Sequence, residues 1–235
     1  MVTRLKAEDL LQRKLNEEAA AIERIYFVKT DRAVNPRTEN PFKYAEGTIP
    51  ILVSAPHAVR HKRRKEIKSS DEFTGSTALL LNKLTGCHVL AATKLYSGDP
   101  NFDYPCIYKD LLRQLCAQHQ IRLVLDLHGA ARERDFAVDL GTMWGKSLLG
   151  QSWILEQVIK AFRSQNISPI SQNRFSADSQ HTVTWFTATQ LGIPAVQLEI
   201  NKEFRVPRQN PEAYSRLLAA LTEVIGGLNQ ALGIL

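Results

Sequence analysis

Beyond residue 48 the chain alternates between short apolar runs and stretches of helical periodicity. The runs are "IPILVSAP" (49–56), "HVLAATKLY" (88–96), "IRLVLDLHG" (121–129), "FAVDLGTMW" (136–144) and "IPAVQLEIN" (193–201). They are rich in Val, Leu and Ile and mostly lack polar alternation, the pattern of strands covered on both faces. Between and after them, apolar residues recur at helical spacing over 73–84, 105–119, 148–164, 182–191 and 211–232. Such alternation predicts an α/β fold: a three-layer α/β/α sandwich around a mixed, largely parallel sheet. Ahead of it, Leu5, Leu10, Leu11, Leu15, Ala19 and Ile22 predict an amphipathic N-terminal helix. The stretch 30–48, "TDRAVNPRTENPFKYAEGT", has the Pro, Asn and charge of a linker. The expectation is one domain over 1–235, with helix and linker (about 1–48) packed on its body.

Composition narrows the class. A length of 235 residues with 44% hydrophobic content supports a full core. No apolar run reaches the roughly 18–20 residues of a membrane span, and the N-terminus lacks a signal-peptide core, so a cytoplasmic protein is expected. Three widely spaced cysteines, Cys87, Cys106 and Cys116, offer no CxxC and read as buried thiols. The formal charge of +6 favours anionic partners. Six Lys or Arg fall within "RHKRRKEIK", Arg60 to Lys68, which reads first as a solvated loop, second as a substrate contact and last as a nucleic-acid patch, since no aromatic residues interleave it.

In a sheet of this kind ligands gather at the carboxyl ends of the strands. Three runs end there in groups that can bind a metal or move a proton: His57, the pair Asp126 and His128, and Glu199. Asp126 and His128 lie two apart on a strand and so leave the same face, where the carboxylate can co-ligate or fix the imidazole tautomer. Two histidines with a carboxylate fit a mononuclear nitrogen and oxygen site with an open water position, for which Zn²⁺ is the default metal. The acidic ligand is sought soon after His57, among Glu66, Asp71 and Glu72; Ser69 and Glu72 also have capping-box spacing. Glu199, inside an apolar strand, has the setting of a carboxylate with a raised pKa and of a general base. Asn201 shares its face. The turn-rich "GDPNFDYP" (98–105) carries Asp99, Asn101 and Asp103, which either line the site or only turn the chain.

"SAPHA", "DEFTG", "GDPNFD", "LVLDLHGA" and "AVQLEIN", in that order, resemble the N-formylglutamate amidohydrolase family, itself similar in fold to zinc carboxypeptidases and aspartoacylases. The resemblance runs over 49–205. It implies a phosphorylase/hydrolase-like fold and metal-dependent hydrolysis of an amide in a small acidic N-acyl amino acid, N-formyl substrates among them. It implies His57, His128 and Asp71 as metal ligands and Glu199 as general base and acid; the mechanism then expected has one Zn²⁺ per chain, with Asp126 orienting His128. A substrate carboxylate would fall to Arg60 or Arg205, with Asn201 a further substrate contact. The chain departs from the family at Ala58-Val59, where a small Ser-Gly often follows the histidine, and at Phe204, where Tyr is frequent. The same residues leave open a zinc carboxypeptidase-like peptidase, or a non-catalytic protein binding an acidic ligand or nucleic acid through 60–68.

Overall fold

The computed structural model describes residues 7–28 and 33–234. A seven-stranded mixed sheet forms its middle layer, in the order β1 (Phe42–Ala45), β5 (His88–Ala92), β2 (Ile51–Ala55), β6 (Leu123–Ala130), β9 (Ala195–Asn201), β7 (Val138–Gly141), β8 (Ile170–Gln172). The central four, β5, β2, β6 and β9, are parallel, whereas β1 and β7 run antiparallel to their inner neighbours. Every residue of β2 and β5 is buried, as the unbroken apolar runs require.

The helices follow from the same alternation. From β2 the chain passes through α2 (Thr74–Thr85) to β5 on one side, then through α3 (Ile107–Gln118) to β6 on the other. Right-handed crossovers in opposite directions place α2 and α3 on opposite faces. α4 (Trp153–Ser164) and α7 (Pro211–Ile234) pack together, α7 also meets α2 and the short α6 (Lys202–Arg205), and α5 (Val183–Gln190) lies against β9 and β6. Pro211 opens α7 where its missing N–H costs nothing, and the Asn210 side chain accepts from Ala213 N at 3.1 Å.

The N-terminal helix, α1 (Ala7–Tyr26), packs on α2 and α7. Its contact face starts at Leu15 with Ala19 and Ile22; Leu10 and Leu11 are exposed, and Leu5 lies outside the described residues. The expected linker is not all linker, because its residues 42–45 form edge strand β1. Two more elements escape the apolar pattern: β8, only three residues long, and the hairpin β3 (His61–Arg63) with β4 (Glu66–Lys68), folded from the basic run expected as a loop. The three cysteines are buried and unpaired, and among the described residues no helix is long and apolar enough to cross a membrane.

Strand order reverses around β2, whose two neighbours, β5 and β6, are reached by successive crossovers in opposite directions. The crevice beyond the carboxyl ends of β2 and β6 is therefore the place for a ligand.

Candidate metal centre

Pro56 ends β2 by withholding a ladder N–H, and His57 follows it into the crevice. One strand over, Asp126 and His128 stand within β6, with Asp126 opposite Ser54 of β2 and Gln197 of β9, and His128 opposite Glu199. Asp71 reaches the same point from the segment before α2: its N–H donates to the His57 carbonyl at 2.8 Å, tying the two segments together.

The polar atoms converge in a definite order. Asp71 Oδ2 lies 3.3 Å from His128 Nδ1 and 3.6 Å from His57 Nδ1. The opposite nitrogen of each ring meets another carboxylate, His57 Nε2 to Asp99 Oδ1 at 2.7 Å and His128 Nε2 to Asp126 Oδ2 at 3.0 Å. Asp99 and Asp126 are fully buried and the histidines nearly so. An outer carboxylate on each imidazole fixes its tautomer and leaves the inner nitrogen as donor, the arrangement found around metal-bound histidine. His57, Asp71 and His128 offer three ligand atoms, all within 4.8 Å of one another. A compact set of two imidazole nitrogens and one carboxylate oxygen fits a small divalent cation such as zinc.

The protonation pattern agrees. Burial works against charge on both imidazoles, but Asp71 and Asp99 raise the pKa of His57, and Asp126 and Asp71 raise that of His128 further. Asp71 and Asp99 are lowered, their hydrogen bonds to the histidines overcoming the burial that would raise them. The carboxylates thus favour positive charge at this point of the crevice.

A second trio, His57, His61 and Asp99, is also close enough for ligation, yet it suits a cation poorly. Asp99 Oδ2 already accepts from Arg63 Nε at 2.6 Å, and Oδ1 accepts from Asn101 N at 2.8 Å as well as facing His57. A guanidinium at that distance repels a metal. His61 instead stacks on His57, centroids 3.7 Å apart and planes within 5°, and burial lowers its pKa to about 3.

Glu199 is half-buried beside these groups, and burial, partly offset by His128, raises its pKa to about 7. Gln197 Nε2 donates to Glu199 Oε1 at 3.2 Å. Both line a cavity of about 400 Å³ together with His57, Asp71, His128, Arg63, Lys68 and Arg174. A larger cleft of about 510 Å³ between α1 and the start of α7 contains no histidine in its lining.

The other sequence candidates are placed differently. Glu66 pairs with Lys68, and Glu72 with Lys202 at 3.0 Å, so of the three acids only Asp71 meets the histidines. No capping box forms from Ser69 and Glu72: α2 is preceded by Phe73 at φ 66°, without a side-chain cap, and its N–H donates to buried Glu23 of α1 at 3.0 Å. Asn201 is spent on structure, its Nδ2 donating to the carbonyls of Arg132, Arg134 and Phe136 while its Oδ1 accepts from Glu203 N. Arg60 is exposed and outside the cavity lining, where Arg63, Lys68 and Arg174 supply the cations. Arg205 is buried behind the site, donating to the carbonyls of Glu72 and Ala130. β6 continues through Gly129 to Ala130, and a Cβ at Gly129 would come within 2.5 Å of the Arg205 guanidinium.

Of the residues beyond those candidates, Asp99 and Gln197 left some trace in the sequence. Gln197 is polar in an apolar run, in phase with Glu199 two residues on. Nothing in the sequence singles out Arg174.

No family model matches the chain, and no curated protein is similar to it in sequence. Solved structures are similar in fold. An N-formylglutamate amidohydrolase from Ralstonia eutropha has a TM-score of 0.61 at 14% identity, covering 82% of this chain and 99% of its own. A gene product of Agrobacterium tumefaciens has a TM-score of 0.59 at 11% identity, covering 86% and 100%. A bacteriophage poly-gamma-glutamate hydrolase has a TM-score of 0.51 at 15% identity, covering 85% and 95%. At such identities the likeness is one of fold.

Proposed function

We propose that this chain is a metal-dependent amidohydrolase that cleaves the amide bond of a small acidic N-acyl amino acid. One observation carries the reading: the inner nitrogens of His57 and His128 face one carboxylate while separate buried carboxylates hold their outer nitrogens. The fold shared with an N-formylglutamate amidohydrolase and with a poly-gamma-glutamate hydrolase supports the same class of reaction. His57, His128 and Asp71 would hold one zinc ion, which when bound supplies Lewis acidity, acidifying water and polarising a carbonyl.

The protein's own groups do the rest. Glu199, with a pKa near 7, is suited to take a proton from the attacking water as its oxygen bonds to the acyl carbon. The C–N bond then breaks, and Glu199 returns that proton to the leaving amine, ending with the charge it began with. Asp99 and Asp126 keep the two imidazoles oriented throughout.

The test is a screen of N-formyl and other N-acyl amino acids with the zinc-loaded protein, alongside Glu199→Gln. The substitution should keep the metal and lose about 10²–10⁴-fold in rate. A Glu199→Gln protein as active as the parent would remove Glu199 from the mechanism.

A further inference from the structure

The basic hairpin has two unequal faces. Its register pairs His61 with Lys68 and Arg63 with Glu66, so these four side chains share one face, while Lys62 and Ile67 point the other way. His61, Arg63 and Lys68 line the cavity, whereas Ile67 is 49% exposed. Among the six cations of the run, only Arg63 and Lys68 reach the cavity lining, and two contacts hold them over the centre. The His61 ring lies on His57, and Arg63 Nε donates to Asp99, the carboxylate that orients His57.

The bond to Asp99 uses only Nε of Arg63. A guanidinium has two further nitrogens in a planar fork that matches a carboxylate. The carboxylates facing the same cavity, Asp71 and Glu199, are occupied by metal binding and proton transfer in the proposed reaction. Lys68 and Arg174 line the same cavity with their charges already met by Glu66 and Asp135, so the guanidinium nitrogens of Arg63 beyond its Nε are the donors best placed for an anionic ligand beside the metal position.

We propose that Arg63, assisted by Lys68, determines specificity for a substrate carboxylate, and that its salt bridge to Asp99 joins anion recognition to the orientation of His57. The term substrate rests on the hydrolase reading; the anion site itself does not. The anion contact expected at Arg60, which is exposed and outside the cavity lining, falls instead to the residue three positions on.

The test compares glutarate with its monoamide, glutaramate, by calorimetry on the zinc-loaded full-length protein. Each leaves one carboxylate for the metal, so the difference reports the second. The parent protein should bind glutarate at least about 30-fold more tightly, as expected for a charge-assisted contact worth about 2 kcal/mol or more. In Arg63→Gln the preference should fall below about threefold with zinc content unchanged. Arg63→Lys, which keeps the charge and a partner for Asp99, should retain part of the preference, and Lys68→Gln should lose a smaller part of it. An Arg63→Gln protein that keeps the full preference, or a parent protein with none, overturns the proposal. Should the parent hydrolyse no N-acyl amino acid yet show the Arg63-dependent preference, the hydrolase reading fails and the anion site stands.

Discussion

Two histidine pairs stand at opposite ends of the parallel strands, and their chemistry differs although their geometry is alike. The His57 and His128 rings, at the carboxyl ends, lie 4.9 Å apart between centroids; His88 and His119, at the amino end of β5 and the end of α3, lie 4.7 Å apart. In the first pair each outer nitrogen meets a buried carboxylate, and a third carboxylate sits between the inner ones. In the second, the Tyr44 hydroxyl and the Gly47 N–H both approach His88 Nδ1, at 2.7 and 3.2 Å, so that nitrogen accepts. The nearest acid to His119 is the exposed Glu46, 3.8 Å away. Burial, with the neighbouring His119, lowers the His88 pKa, whereas the carboxylates raise those of His57 and His128. Ring proximity is common to both pairs; the outer partners decide which pair can serve as a ligand set.

Removing one ring from each pair separates the two most strongly. His128→Ala should reduce bound zinc from about one per chain to none and abolish hydrolysis, while His119→Ala should leave both unchanged. Metal analysis of the two purified variants checks this, and equal losses would dissolve the distinction. A subtler cut removes charge from the outer partners. Asp99→Asn and Asp126→Asn should each weaken zinc binding by about 10–100-fold, measured by competition with a chelator, because the tautomer and basicity of the ligand histidine are no longer held.

Glu199 gives a pH-dependent prediction on the metal-free protein. In the folded chain its carboxyl keeps the proton up to about pH 7, whereas unfolded it releases it near 4.5. Over that window the folded state binds more protons, so this group makes stability fall as pH rises and leaves the full cost above pH 7. Metal-free Glu199→Gln should therefore gain stability over the parent by up to about 3 kcal/mol at pH 8 and by little at pH 4.5. Denaturant melts at the two pH values measure it, and an equal difference at both would assign the effect to something other than that proton.

The effect most remote from the histidines concerns α1. Glu23 caps the N–H of Phe73, two residues after Asp71, and Phe73 holds a left-handed backbone. Glu23→Ala should cost about 1–3 kcal/mol in stability by leaving that buried N–H without its acceptor, and should weaken zinc binding less than either Asp→Asn change.

What the sequence reveals follows from how local each signal is. Buried parallel strands must be apolar along their whole length, so β2, β5, β6 and β9 announce themselves, and His57, Asp126, His128 and Glu199 stand out where those runs end. β1 and β8 sit at the edges of the sheet and are only four and three residues long, too short to show a period. The hairpin is hidden because its inward side chains, His61, Arg63 and Lys68, are polar; it folds against the site instead of a hydrophobic core. Asn201 has the phase of Glu199 but not its role, because alternation fixes the face of a side chain and not its partners. Asp99 looks in sequence like any turn aspartate, and only the packing of its loop against His57 shows otherwise.

Metal binding here depends on the donor set that His57, His128 and Asp71 present. X-ray absorption at the zinc edge of the loaded protein addresses it directly. The prediction is one zinc bound by two imidazole nitrogens with the remaining donors oxygen, reduced to a single imidazole in any protein that still binds metal after His57→Ala. Sulfur in the coordination sphere, or two imidazoles retained after that substitution, would contradict it.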